Sequence, residues 1–262
     1  MQKMNTNKPS KKFFSVDIIM PSYNKANYLD DSIKSIICQS LKNWNLYIID
    51  DNSTDDSWKI INKYSKIKNI NIISLKKNKG PSFCRNFGMR LSKSKYISFI
   101  DSDDTWDAKK LEKQISFMED NNFVFTYTDY TPFFERGGIK KIKKPTSLVE
   151  SFNFETFIRN SSINTTTMII SRSILKTHRF KKIKLLEDYV FKCGLLINNS
   201  AIKLNENLAT YRILSHSRSS KRIKNIYWLW KVNKKFNKLN FLGNALSIFL
   251  ISLNSIKKYG IK

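Results

Sequence analysis

Tyr96–Ile97–Ser98–Phe99–Ile100–Asp101–Ser102–Asp103–Asp104 is the stretch on which the reading of this chain turns. Its first five residues are aromatic, β-branched or small, the pattern of a short buried strand, and the run ends in three carboxylates within four positions. Like charges packed that tightly are unfavourable unless a cation or strong donors sit among the oxygens. A divalent ion meets that need. Magnesium and manganese take hard oxygen ligands, and an ion carrying substrate phosphates needs only one or two protein carboxylates. The competing reading is a solvated Asp-rich turn opening the next helix, with Asp104 or Asp107 as its cap.

The residues upstream give this strand its setting. Val16–Met20 reads as a strand closed by Pro21 and the turn-like Ser22–Tyr23–Asn24, and helical periodicity follows through Tyr28, Leu29, Ile33, Ile36 and Ile37. Trp44–Ile49 returns to strand character, and the loop Asp50–Asp51–Asn52–Ser53–Thr54–Asp55–Asp56 opens a helix over Ser57–Tyr64. Ile70–Leu75 is a strand, Asn78–Lys79–Gly80–Pro81 a turn, and Ser82–Leu91 a helix. Such alternation predicts a mostly parallel, three-layer α/β unit with helices on both faces of a Rossmann-like sheet. In that architecture the residues just beyond the carboxyl ends of strands line the ligand crevice. Pro21–Ser22–Tyr23, Asp50–Asp51, Lys79 and Asp101–Asp103 all hold that kind of position.

The second half is less regular. Leu111–Met118 and Phe152–Ile158 read as helices, Phe123–Tyr130 and Thr165–Ile170 as strands, and Arg136–Lys144, with two glycines and five basic residues, as an excursion. A helix over Glu187–Ile197 is followed by strands at Ala201–Leu204 and Leu208–Ile213, so this part is a mixed α/β lobe. From Ile226 onward two helices are joined near Asn237–Asn240. In the last, Leu242, Ala245, Leu246, Phe249, Leu250, Leu253 and Ile256 share one face, which Ile248 and Ile251 widen.

With 262 residues and 41% hydrophobic content the chain is not largely disordered. His178 and His216 are too few for a histidine-rich metal site, and His178 reads as a bystander in a basic run. Cys38, Cys84 and Cys193 are odd in number and widely spaced, which supports neither a disulfide framework nor a zinc knuckle and fits a reducing cytoplasm; they read as buried small apolar residues. The net charge of +26 raises nucleic acid as a partner, yet there is no zinc-finger spacing, RNA-binding aromatic signature or compelling helix-turn-helix. After Glu206 no acidic residue follows, against twelve Lys or Arg. That asymmetry suits an anionic membrane surface, and Trp228, Trp230, Lys231, Lys234, Lys235, Lys257 and Lys258 lie near the apolar face. The alternative is that this face packs on the catalytic domain or on a second copy in a homo-oligomer. Residues 1–12 lack the apolar core of a signal peptide, and Leu239–Ile256, with three asparagines, is marginal as a span.

Taken in order, Val16–Asn24, Ile49–Asp55, Asn78–Gly80 with Arg85–Asn86, Asp101–Asp104 and Glu187–Asp188 resemble the family 2 glycosyltransferases of bacterial surface-polysaccharide and lipopolysaccharide synthesis. The resemblance is strong over residues 15–110 and weaker over 111–220. It implies a GT-A fold, an inverting mechanism, a nucleotide-diphosphate sugar donor, with a UDP-sugar foremost, and Mn2+ or Mg2+. On the matching motifs it implies that Asp51 meets the nucleotide base, with Pro21 and Tyr23 packing near it. Asp101 and Ser102 face the ribose or donor sugar, and Asp103 carries the metal. Arg85 and Lys79 belong to the donor side, and Asp188 of the Glu187–Asp188 pair is the catalytic base. Arg212 and His216 face the diphosphate, and Trp106 is either an acceptor-side platform or structural.

The chain is therefore expected to divide into a nucleotide-sugar-binding half (14–105), an acceptor-binding half (106–222) and a basic amphipathic extension (223–262). It is expected to act in the cytoplasm, peripheral on the inner face of the bacterial inner membrane, on a glycan or lipid-linked acceptor. Two rivals make different predictions. A sugar-phosphate nucleotidyltransferase calls for a glycine-rich loop after the first strand, which Pro21–Ser22–Tyr23–Asn24 is not, and a non-catalytic nucleic-acid-binding protein leaves the clustered carboxylates unexplained.

Overall fold

Val16, Ile18, Ile19 and Met20 are wholly buried, which places their strand, β1 (Val16–Ser22), in the middle of a sheet covered on both faces. The computed structural model describes residues 15–136, 139–144, 146, 148–214 and 222–259. β1 pairs in parallel with β2 (Trp44–Asp50) on one side and β4 (Tyr96–Phe99) on the other, and β2 pairs in parallel with β3 (Ile70–Ser74). The connecting helices are α1 (Ala26–Ile37), α2 (Ser57–Asn62) and α3 (Pro81–Leu91). Helix α1 buries Leu29, Ser32, Ile33 and Ile36 at three- and four-residue spacing, the stripe its sequence predicts. Pro21 does not close β1: it continues the strand opposite Ile49, so the turn begins one residue later, at Tyr23.

The remaining elements are β5 (Thr105–Trp106), α4 (Lys110–Asp120), β6 (Phe125–Arg136), β7 (Ile139–Ile142), β8 (Ser151–Phe152), α5 (Phe154–Phe157), β9 (Ile169–Ser171), α6 (Glu187–Leu196) and β10 (Ala201–Arg212). They extend the same sheet to the order β3-β2-β1-β4-β9-β6-β10-β5, with β7 on β6 and β8 on β10. Strand β9 runs antiparallel to both β4 and β6 and joins the parallel half to the rest. The mixed α/β architecture expected from the sequence is thus present.

Several local expectations are corrected. Thr165–Thr167 is a 3-10 turn capped by the Asn164 side chain, and the strand is only Ile169–Ser171, because the Thr166 and Thr167 backbone N–H groups are given to Asn164 instead of to a ladder. The two strands expected around Ala201 and Leu208 are one, β10, with register shifts between Leu204 and Thr210 that absorb the irregular residues. The expected excursion at Arg136–Lys144 contains a strand: β7 returns antiparallel along β6, while Gly137 and Gly138 lie outside the described residues. Cys38 is exposed at the end of α1, whereas Cys84 and Cys193 are buried as expected.

Two helices follow, α7 (Arg222–Lys235) and α8 (Phe241–Tyr259). No helix among the described residues is long and apolar enough to cross a membrane.

Candidate active site

Four loops at the carboxyl ends of β1, β2, β3 and β4 open into a cleft of about 1010 Å³. Its lining includes Pro21, Tyr23, Lys25, Asp51, Lys79, Arg85, Asp101, Ser102 and Asp103 from the first half, and Thr165, Glu187, Asp188 and Arg212 from the second. The carboxylates after β4 are each held differently. Asp101 Oδ1 accepts from the Arg85 guanidinium at 2.6 Å. Asp103 Oδ2 lies 2.6 Å from Lys25 Nζ. Asp104 is wholly buried and turned away from the cleft, accepting from Thr166 Oγ1 and, at 3.0 Å, from the Arg212 backbone N–H. It is neither a helix cap nor a ligand: it ties the loop to β10.

Asp51 is buried at the end of β2, and its two oxygens accept the backbone N–H groups of Lys79 (2.7 Å) and Gly80 (2.8 Å). The carboxylate therefore shapes the loop after β3. With about four acceptor sites it keeps capacity for one more donor. Gly80 sits at φ +84°, a backbone conformation that costs a side-chain-bearing residue, and this lets the loop aim both amides at Asp51. Asp50 turns the other way and takes Ser53 N–H and Oγ. Tyr23 is exposed at the rim, and the Lys79 ammonium lies 4.4 Å from the Phe83 ring centre.

Arg85 joins the two sides of the cleft. Projecting from α3, its guanidinium pairs with Asp101 and lies 3.9 Å from Glu187 Oε1, while its plane approaches the Phe180 ring at 5.3 Å. Its Nε is buried without a partner among the described residues. Glu187 and Asp188 begin α6 directly after Leu186, which adopts φ +66°. A left-handed leucine is strained, and here it sets the direction in which the first turn presents its two carboxylates.

The Asp188 side chain remains 39% exposed to the cleft, while Lys192, one turn on, is buried. Lys192 Nζ donates to Asp188 Oδ2 at 2.9 Å, to the Ile163 carbonyl at 2.7 Å and to Thr165 Oγ1 at 3.3 Å. Burial acts to raise the Asp188 pKa, but the Lys192 ammonium, helped by Arg85 and the Tyr189 N–H, brings it down to about 2.

The structure gathers Pro21, Tyr23, Asp51, Lys79, Arg85, Asp101, Ser102, Asp103, Glu187, Asp188 and Arg212 around one cleft. Arg212 is buried, with Nε donating to the Asp103 carbonyl at 3.1 Å and its guanidinium over the Tyr28 and Phe133 rings. Of the two readings open for Trp106 the structure supports the structural one and corrects the acceptor-side one: it is buried behind the cleft, its indole N–H given to the Thr166 carbonyl at 2.9 Å, so it packs rather than offering a face to a sugar. His216 lies outside the described residues. Two residues escaped the sequence reading. Lys25 had a faint signal, a cation directly after the first turn, and Lys192 a clearer one, a lysine four residues after an acid on a helix.

The residues present fit a divalent ion. No group of three or more His, Cys, Asp or Glu forms a metal cage among the described residues. Asp101 and Asp103 nevertheless each keep one oxygen outside their ion pairs, both line the cleft, and two hard oxygens suffice when a diphosphate supplies the rest.

Comparison with known proteins places the fold and the family. The chain is 31% identical over 245 residues to an Escherichia coli protein, UDP-Glc:alpha-D-GlcNAc-diphosphoundecaprenol beta-1,3-glucosyltransferase WfgD, covering 93% of this chain and 92% of that one. Its fold is similar to that of S. aureus TarS 1-349 in complex with UDP-GlcNAc, with TM-score 0.71 at 18% identity over 93% of this chain and 73% of that chain. It is also similar to the mannosyltransferase PcManGT of Pyrobaculum calidifontis in complex with GDP-Man and Mn2+, with TM-score 0.66 at 13% identity over 94% of this chain and 76% of that chain. These are GT-A glycosyltransferase structures, and the sheet described above is of that fold. Residues 17–188, from the buried Asp17 of β1 to Asp188 of α6, match the family model for Glycosyl transferase family 2, and the chain belongs to that family.

Proposed function

We propose that the chain transfers one sugar, with inversion, from a UDP-sugar to a hydroxyl of a lipid-linked glycan in the synthesis of a bacterial surface polysaccharide. The single observation that carries this reading is that Asp188 faces the same cleft as Asp51, Asp101 and Asp103, with Arg85 tying Asp101 to the Glu187 beside it. The UDP-sugar named for WfgD and the UDP-GlcNAc bound to TarS support the donor, and the diphosphoundecaprenol in the WfgD name supports a lipid-linked acceptor. In this reading residues 14–105 bind the donor and residues 106–222 the acceptor, at the cytoplasmic face of the inner membrane.

Asp51 accepts the imide N–H of the base, with Pro21 and Tyr23 beside the ring. Asp101 and Ser102 face the ribose or sugar. Asp103 with Asp101 would hold Mn2+ or Mg2+, which would supply positive charge against the diphosphate. Arg212 and Lys79 add positive charge on the same side. The acceptor oxygen forms the new bond to the anomeric carbon and gives its proton to Asp188. The bond from that carbon to the diphosphate breaks, and the leaving group departs with the electron pair, so no general acid is needed. One carboxylate base and one displacement give inversion.

The test is a panel of nucleotide sugars screened for transfer and for ligand-induced melting shifts. Asp188→Asn should lose transfer by about 10² to 10⁴-fold while keeping the UDP-induced shift. Asp103→Ala should lose the metal-dependent part of that shift, and turnover equal to the parent protein would overturn the metal assignment.

A further inference from the structure

Helix α8 turns its polar groups inward, where they sit beside Ile248 and Ile251, which the sequence places on the widened apolar face but which pack against the core. Asn244 and Ser247 are buried, both accepting from the Asn233 amide of α7 (3.1 and 3.0 Å), and Asn254 donates to the Arg159 carbonyl at 3.3 Å. The opposite face carries Leu242 (76% exposed), Leu246, Phe249 (59%), Leu253 and Ile256, all exposed, with Phe241 at the amino end. Their spacing of four, three, four and three residues keeps them in a single stripe along the whole helix. A helix whose polar groups are committed to the protein and whose leucines face outward needs an occupant for that face.

We propose that α8 docks the protein on an anionic phospholipid surface, with this stripe entering the headgroup–acyl boundary. Three observations select that occupant. No acidic residue follows Glu206, and Lys231, Lys234, Lys235 and Lys257 are exposed on the two terminal helices, so this region complements negative charge. The helix is not a span, which leaves it lying in the interface rather than crossing it. Ile251, Asn254 and Ser255, on other faces of the same helix, line the cleft, so docking keeps the cleft beside the surface; this third observation rests on the lipid-linked acceptor proposed above. The stripe spacing also suits a coiled-coil seam, but its flanks offer Lys257 and neutral residues with no acid to pair, so a second copy would bring positive charge against positive.

The experiment sediments the full chain with phosphatidylglycerol–phosphatidylcholine vesicles and with phosphatidylcholine alone, without substrate, so its outcome is independent of the transfer reaction. Binding is expected to the anionic vesicles, reduced by salt, and to fall at least about tenfold in Phe249→Asn/Leu253→Asn, which changes no charge. That variant should keep the parent melting temperature and UDP-induced shift. Phe249→Trp should show a blue-shifted emission on vesicle addition. Failure of the parent to bind, unchanged binding of the double variant, or a lipid-free dimer by light scattering that the double variant dissociates would each overturn the proposal.

Discussion

Lys25 Nζ lies 2.6 Å from Asp103 Oδ2, an ion pair between the loop after β1 and the loop after β4, residues 78 apart in sequence. Asp103 is the carboxylate assigned above to a divalent ion, so an ammonium already stands at one of its oxygens. A second cation at the same carboxylate meets Coulomb repulsion from Lys25 unless the lysine swings away. Lys25→Met should therefore raise Mn2+ affinity of the protein alone by about tenfold, read from free Mn2+ by electron paramagnetic resonance. Unchanged affinity would mean that the pair and the ion do not compete.

Lys192 Nζ lies 2.9 Å from Oδ2 of Asp188, the base proposed above. The Lys192 ammonium holds the carboxylate down at about 2, so the ionised form of Asp188 is favoured near neutral pH. A value depressed below the ordinary 3.9 or so means that the folded state favours the ionised form, a preference present above that pH and lost as pH falls through about 2. In Lys192→Met the remaining effect of burial raises the pKa, so an acid limb in kcat/KM should appear between roughly pH 4 and 6 where the parent is flat. A purely structural role for Lys192 would lower activity without bending the profile.

Gly88 is where α3 touches the sheet. A Cβ there would lie 2.6 Å from Ile19 Cγ2 and 3.2 Å from Ile49 Cδ1, both in the buried core. Gly88→Ala should destabilise the protein by ~1–3 kcal/mol in denaturant unfolding. It should also weaken UDP binding, because the displaced helix carries Arg85.

Lys110 is wholly buried behind Trp106, its Nζ 4.3 Å from the ring centre and 2.9 Å from Gln114 Oε1. Burial lowers its pKa to about 7. The unfolded chain holds that proton to about pH 10.4, so between these values it binds more protons than the folded protein and stability rises with pH. Equilibrium unfolding should show that rise in the parent and a flatter profile in Lys110→Met.

The first half of the chain was legible because its signals are local. The Ile-rich strands, the amphipathic stripe of α1 and the acidic residues at Asp50–Asp51 and Asp101–Asp103 can be read within windows of a few residues, and a parallel sheet then puts them on one edge. Thr165–Thr167, a 3-10 turn where the sequence predicts a strand, shows the converse. β-branched residues favour strands on average, but here Asn164 takes the Thr166 and Thr167 backbone N–H groups, and the Thr166 hydroxyl reaches Asp104, a partner that sequence proximity does not reveal.

By itself the sequence determined the order of strands and helices from β1 to β4, the carboxylate loop after β4 and the acidic start of α6, since backbone periodicity and turn chemistry are properties of neighbouring residues. Which cation meets which carboxylate was decided only when the chain folded, because Lys25 with Asp103 and Arg85 with Asp101 and Glu187 are pairings across loops. The same holds for α8. Its amphipathicity is written in the sequence, but which face turns outward depends on Asn233 of α7, whose amide reaches Asn244 and Ser247 and draws the polar side in.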